Sequence, residues 1–269
     1  MESTGFAEVE QHSGRRGLVA GRNARSGKDQ QDGPRDPQAV LALLWGEQEQ
    51  PTRGPKPTLS PQRIAAAAVE LADAQGLDAV SMSKVAAGFG VSAMALYRYV
   101  PGKAELVELM IESMLAEVPD LSAAEGDWRA GVRLWARRCL DLYRAHPWAL
   151  AATAMRRQVM GPHQLGWLDA AHAALEPTGL PAAQRHQVFV LVVGLVRSLA
   201  QQTADFDADQ DREWDRLTGE VLERHADRFP ALTRAIADGA FGPAGTDPLD
   251  FGLDRILDGV EALVAGRRG

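Results

Sequence analysis

The chain contains a single cysteine, Cys139, so no internal disulfide can form, and its sparing thiol use fits a reducing compartment. No apolar run approaches the roughly 18 residues needed to cross a bilayer. The longest, Val188 to Val193, meets Gly194 and is flanked by Arg185 and Arg197. The N-terminal stretch MESTGFAEVEQHSGRRG lacks the apolar segment of a secretory signal. These absences predict a cytoplasmic protein with no membrane partner.

The usual marks of catalysis and metal binding are missing too. The six histidines include no i, i+4 pair and no H-E-x-x-H, and His163 and His172 fall on different helical faces. The glycines of GFG at 88–90 lack a third glycine and a preceding strand, and no G-x-S-x-G occurs. The aspartates of 205–211 resemble a calcium loop only superficially. Gln210 stands where that loop needs glycine, and Arg216 where it needs a bidentate glutamate. Neither cofactor nor metal is expected, no catalytic residue can be named, and the chain is not expected to be an enzyme.

What the sequence does have is helix. Residues 1–35 are polar and Gly-rich, and disorder is expected there. A short amphipathic helix is predicted from Pro37, with Val40, Leu43 and Leu44 on one side, before the polar, Pro-rich 47–59. Arg53 and Lys56 in that linker form a basic arm that could reach phosphates. Ser60-Pro61 is a clear helix start, with Ile64, Ala68 and Leu71 inward and Gly76 as the stop. Beyond Asp120 helices are expected over 127–146, 148–158, 162–176, 181–204, 210–226, 230–239 and 247–266. The breaks fall at Pro147, Gly161-Pro162, Pro177 to Pro181, Pro230 and the glycine-rich 242–248. No stretch alternates as a strand, so the fold class is all-α.

Charge is unevenly spread. The net charge is −7, yet residues 51–103 carry six Lys or Arg against three Asp or Glu, while 104–269 carry 17 against 25. A basic head on an acidic body suits phosphate attraction, because the field matters at the contact surface.

The segment 81–103, SMSKVAAGFGVSAMALYRYVPGK, is the most informative. Ser81 is expected to cap one short helix whose Val85, Ala86 and Phe89 face inward, and Gly90 supplies the left-handed turn. Ser92 is expected to cap a second short helix, with Val91 and Leu96 as its hydrophobic staple. Pro101 stops that helix, and Lys103 to Val118 then shows a strong apolar stripe. Two short helices at a fixed angle read as a helix-turn-helix for the DNA major groove.

These residues resemble the TetR family of bacterial one-component repressors. Gly90, Val91, Leu96-Tyr97-Arg98-Tyr99-Val100 and Lys103 match the family pattern, and the likeness covers 60–118. RGPKP at 53–57 and HPW at 146–148 are similar to the tetracycline-repressor branch. The resemblance implies an Ω-shaped homodimer with a three-helix DNA-binding head, a connecting fourth helix at 103–118, and a larger body that binds ligand and dimerises. It implies three regions: an N-terminal extension (1–57, disordered or weakly ordered), the head with its connecting helix (58–118), and the body (119–269). By position, Ser81, Ser83, Ala93, Met94, Tyr97, Arg98, Tyr99 and Lys103 are implied DNA contacts. Their chemistry agrees in part: Ser81, Ser92, Tyr97, Tyr99 and Lys103 suit phosphate oxygens, and Arg98 could read a guanine edge. Ala93, Met94 and Ala95 offer only apolar contact to thymine methyls, which shifts sequence preference toward DNA shape.

In the body, Trp128, Trp135, Cys139, Tyr143, Trp148, Met155, Trp167 and Phe189 supply apolar surface for an effector pocket, with His146 and His163 as candidate polar anchors. ALAATA at 149–154 lacks the histidine that the tetracycline branch uses around its magnesium–drug chelate, so a different, largely hydrophobic effector is expected. The nearly all-apolar 188–199 must be buried on several sides, and with the last helix it could form a helix-pair interface with a second copy. The resulting expectation is a homodimeric, ligand-responsive repressor on a palindromic operator of double-stranded DNA. Two alternatives remain open at this point, a helix-turn-helix regulator without a small-molecule effector and an α-helical enzyme.

Overall fold

The helix starts written into the sequence are the ones the chain uses. The computed structural model describes residues 36–47, 59–154, 159–204, 208–240 and 245–267, which lie within one unit, 34–269. Every regular element among them is helical. The expected disorder of 1–35, the basic arm at Arg53 and Lys56, and residues 205–207 of the Asp-rich stretch lie outside the described residues, while 208–211 begin a helix rather than continue a loop.

Ser60 Oγ accepts from the Arg63 N–H at 3.2 Å and starts α2 (Pro61–Gln75), which Gly76 ends at φ +80°. Ser81 Oγ accepts from the Lys84 N–H at 3.2 Å and starts α3 (Met82–Gly88). Gly90, at φ +67°, turns the chain into α4 (Ala93–Leu96). The connecting helix is α5 (Lys103–Met114), which packs chiefly on α2. Ile64, Val80, Val85, Leu96, Val100, Leu106 and Met110 are the buried centre of this head. Ahead of it, α1 (Pro37–Leu44) is capped by Asp36 and lays Val40, Leu43 and Leu44 against α5, as its stripe predicts. Its neighbour Trp45 donates its indole N–H to the Met160 carbonyl at 3.4 Å, across to the body.

Three local expectations fail. Ser92 makes no side-chain cap bond, and Val91 is exposed rather than stapled to Leu96. The Ala95 N–H, which a Ser92 hydroxyl would serve, bonds instead to the Ser92 backbone carbonyl at 2.9 Å. Phe89 does face inward, half-buried against the core of the head, with the Arg63 guanidinium 5.9 Å above its ring. Finally, α5 stops at Met114 and not at Val118. Val118 precedes Pro119, which disfavours helical geometry there, and the freed Leu115 carbonyl accepts from Trp167 Nε1 at 3.1 Å.

The body comprises α6 (Trp128–Ala145), α7 (Ala149–Ala152), α8 (Pro162–Leu175), α9 (Ala182–Ala204), α10 (Ala208–Arg224), α11 (Pro230–Ala237) and α12 (Pro248–Ala265). Helix α6 is its axis and touches α8, α9 and α12. Trp135, Leu140, Leu175, Val192, Val196, Leu253 and Leu257 form the core between them. Each such side chain contributes about 1.5–3 kcal/mol by leaving water. A ladder of ion pairs runs along the α6–α12 seam: Arg129 to Asp258 and Glu261, Arg133 to Asp254, and Arg137 to Asp247 and Asp250.

Helix α9 has the length and apolar character of a membrane span, yet it is packed against α6, α8 and α12. It is not buried all round. Val188, Val192, Val196 and Ala200 face the core, while Val190 and Leu191 are 54% and 59% exposed. Phe251 on α12 is 58% exposed as well.

Candidate nucleic-acid interface and internal cavity

The head presents a face built from the sequence candidates. Ser83, Ser92, Met94, Tyr97 and Arg98 are exposed, whereas Ser81, Ala93, Tyr99 and Lys103 are half-buried. Met94 is the most prominent at 72% exposure, on the first turn of α4. Leu96 and Val100, on the same short segment, are fully buried and anchor it. Among the described residues no carboxylate pairs with Lys84, Arg98 or Lys103, so their charges stay available for phosphates. Lys84, exposed on α3, was not picked out by sequence reasoning, although its position next to the capping turn is a usable signal.

Between head and body lies a junction that the sequence did not reveal. Asp73, on α2, accepts from Trp148 Nε1 at 2.7 Å and lies 2.8 Å from His146 Nδ1 on the same oxygen. Glu112, buried on α5, forms a second link. Its Oε2 accepts from the His163 N–H at 2.9 Å and its Oε1 from the Gln164 N–H at 3.0 Å. A carboxylate at the start of α8 satisfies amides that otherwise lack helical partners, and it meets the positive end of the helix dipole. Gly161 makes this approach possible, since a Cβ there would collide with Glu112 Cδ.

A cavity of about 270 Å³, open to solvent where His186 and Met160 are exposed, lies between α5, α6, α8 and α9. Trp135, Cys139, Tyr143, Trp167 and Phe189 line it, all of them sequence candidates. Trp135 packs edge-on to both Trp167 and Phe189, with centroids 6.0 and 5.6 Å away, and donates its indole N–H to the Trp167 carbonyl. Burial pushes the Cys139 thiol up to about 12, against a smaller opposing pull from Arg197, so the group stays an uncharged apolar wall.

Other candidates lie elsewhere. His146 and Trp148 belong to the Asp73 junction, and His163 sits at the Glu112 cap with its Nδ1 3.0 Å from the Glu112 carbonyl. Trp128 stacks under Arg129 outside the cavity, and Met155 lies outside the described residues. Conversely, the cavity takes in Met114 at the end of α5 and Leu115 just after it, with Thr153, Gln164, His186 and Arg197. An arginine closing the apolar stretch 188–196 is the signal that could have found the last of these. Among the described residues no group of three or more His, Cys, Asp or Glu is placed to hold a metal.

Comparison with known proteins agrees with this architecture. Residues 64–110 match the family model described as bacterial regulatory proteins, tetR family, and residues 119–264 match tetracyclin repressor-like, C-terminal domain. The chain is 39% identical over 259 residues to the HTH-type transcriptional repressor DrrR1 of Streptomyces coeruleorubidus, covering 93% of this chain and 94% of that one. It is 30% identical to the tetracycline repressor protein class A from transposon 1721 of Escherichia coli, over 75% of this chain and 90% of that one. Among solved structures, Streptomyces coelicolor ActR in complex with actinorhodin superposes with a TM-score of 0.63 at 25% identity, covering 76% of this chain and 96% of that one.

Proposed function

The chain belongs to the tetR family of bacterial regulatory proteins and is a DNA-binding transcriptional repressor, and we propose that it works as a homodimer on a palindromic operator, released when a small, largely hydrophobic effector fills the cavity. One observation carries this reading. Helix α5 begins at Lys103, on the DNA face, and ends at Met114, on the cavity wall. Whatever occupies the cavity therefore touches the element on which the head is mounted.

The recognition helices of a dimer must enter successive major grooves about 34–36 Å apart. An effector that shifts α5 changes that spacing, and a coupling of roughly 1–3 kcal/mol would alter operator affinity about 5–150-fold. The Asp73 and Glu112 links are the rigid connections through which such a shift would pass. The exposed Val190 and Leu191 of α9 and Phe251 of α12 support dimerisation, because α9 and α12 lie side by side and leave these residues uncovered. The complex of ActR, a structural relative, with actinorhodin supports a small-molecule effector for this cavity. Its site of action would be the bacterial cytoplasm, where the operator is.

The deciding experiment uses the purified full chain and fragments of its own upstream DNA at roughly physiological salt. Sequence-selective, salt-dependent retardation of one fragment, with a mass of two chains per complex in light scattering, is expected. Binding equally to every fragment, or a monomer that is unaffected by Leu191→Arg, would overturn the dimeric-operator reading.

A further inference from the structure

The cavity is chemically one-sided. Its walls are mainly aromatic and aliphatic, with Thr153, Gln164 and His186 as polar exceptions; no Asp or Glu contributes to them, and one guanidinium, that of Arg197, enters from α9. Arg197 Nη1 donates to Tyr143 Oη at 3.0 Å and to Thr153 Oγ1, and Nη2 donates to the Leu150 carbonyl at 2.9 Å. All these acceptors are neutral, and among the described residues no carboxylate pairs with Arg197. A guanidinium has five N–H donors, and the Nε–H and one Nη2–H are left over. The group is thus held in place by three bonds and by the Tyr143 ring 5.5 Å from its centre, with no anionic partner, an arrangement that favours an anionic oxygen.

The shape of the site is equally specific. His186, Phe189, Val193 and Arg197 recur at helical spacing and form one stripe along α9. His186 and Arg197 are separated by about 16 Å along the axis at 1.5 Å per residue. Between them, Trp135, Trp167 and Tyr143 offer ring faces and edges. At about 270 Å³ the space sits at the small end of the roughly 300–1,000 Å³ seen for small-molecule sites.

We propose that the effector is a flat, fused-ring aromatic acid lying along α9, with its carboxylate or phenolate oxygen bound by Arg197 and its far edge toward His186. This rests on the cavity being the effector site. The test compares anthraquinone-2-carboxylic acid with its uncharged, nearly isosteric carboxamide. Binding is read from quenching of the cavity tryptophans, and release from operator retardation. The acid is expected to bind wild-type protein at least tenfold more tightly than the amide. That preference should fall below threefold in Arg197→Gln and persist in Arg197→Lys. Should Arg197→Gln fail to fold, the wild-type comparison decides alone. Equal binding of acid and amide, with operator release by both, overturns the role of Arg197 but leaves the cavity as the effector site. Quenching by either without operator release overturns the effector reading itself. No binding of either overturns the ligand class.

Discussion

Trp148 and Asp73 are joined across the boundary between body and head: the indole N–H reaches the carboxylate at 2.7 Å, on the oxygen that also meets His146. Trp148 is nearly fully buried, so this is one of the few polar ties between the two parts that is held by packing as well as by charge. Replacing Asp73 by Ala leaves the indole N–H without its acceptor, which costs about 1–3 kcal/mol. The expected outcome is a lower melting temperature together with a weaker response of operator binding to effector, while operator affinity without effector changes little. A normal response to effector in a folded Asp73→Ala protein would show that the tie plays no part in coupling.

Glu112 and Gly161 act on the same contact and should not behave independently. Glu112→Gln removes the charge facing the start of α8, and Gly161→Ala forces the carboxylate aside. Each is expected to destabilise by about 1–2 kcal/mol in chemical denaturation. The double variant should cost clearly less than the two together, since the second change finds the contact already broken.

On the DNA face, Arg98→Ala and Lys103→Ala should each reduce the salt dependence of operator binding by about one unit of slope. Met94→Ala should weaken binding without changing that slope, because a thioether releases no counterions. For Arg98→Ala and Met94→Ala, both at exposed positions, thermal melts should match the wild type.

The α6–α12 seam predicts acid sensitivity. Asp247 is held below the usual carboxylate range by the Leu249 N–H and then by Arg137, and Asp258 by the Arg129 guanidinium. Carboxyls with lowered folded values stabilise the fold above the unfolded value of about 3.9, and that contribution is lost as pH falls through the folded values. Melting temperature should be insensitive to these groups between pH 5 and 8 and drop below about pH 4. In Arg129→Gln/Arg137→Gln the drop should be shallower, starting from a lower plateau.

Cys139 gives a chemical readout of the cavity. With its thiol pushed up to about 12, the native protein should react with a thiol-specific reagent at pH 8 at least ~100-fold more slowly than the unfolded chain. Comparable rates would mean that the cavity wall opens readily to water.

Local signals in the sequence carried most of the fold. Ser60, Ser81, Gly76 and Gly90 act over three or four residues, and each fixes an element boundary that the structure shows. The aromatic lining was legible for a similar reason, since Trp135, Tyr143, Trp167 and Phe189 fall on helix faces that must turn inward. What stayed hidden depends on tertiary partners. His146 and Trp148 look like pocket residues until Asp73, some 75 positions earlier, claims them. Arg197 looks like the flank of an apolar run until Tyr143, Thr153 and Leu150 close around it. Val190 and Leu191 read as buried because nothing in one chain says which neighbour covers them.

The short helix ahead of the head has a practical bearing. Because Trp45 bonds to the Met160 carbonyl while Val40, Leu43 and Leu44 rest on α5, this segment braces the lever and the chamber wall at once. Trimming the protein back to Leu59 to obtain a tidier domain would take out that brace, and measurements on the shortened form would describe a slacker regulator than the one encoded.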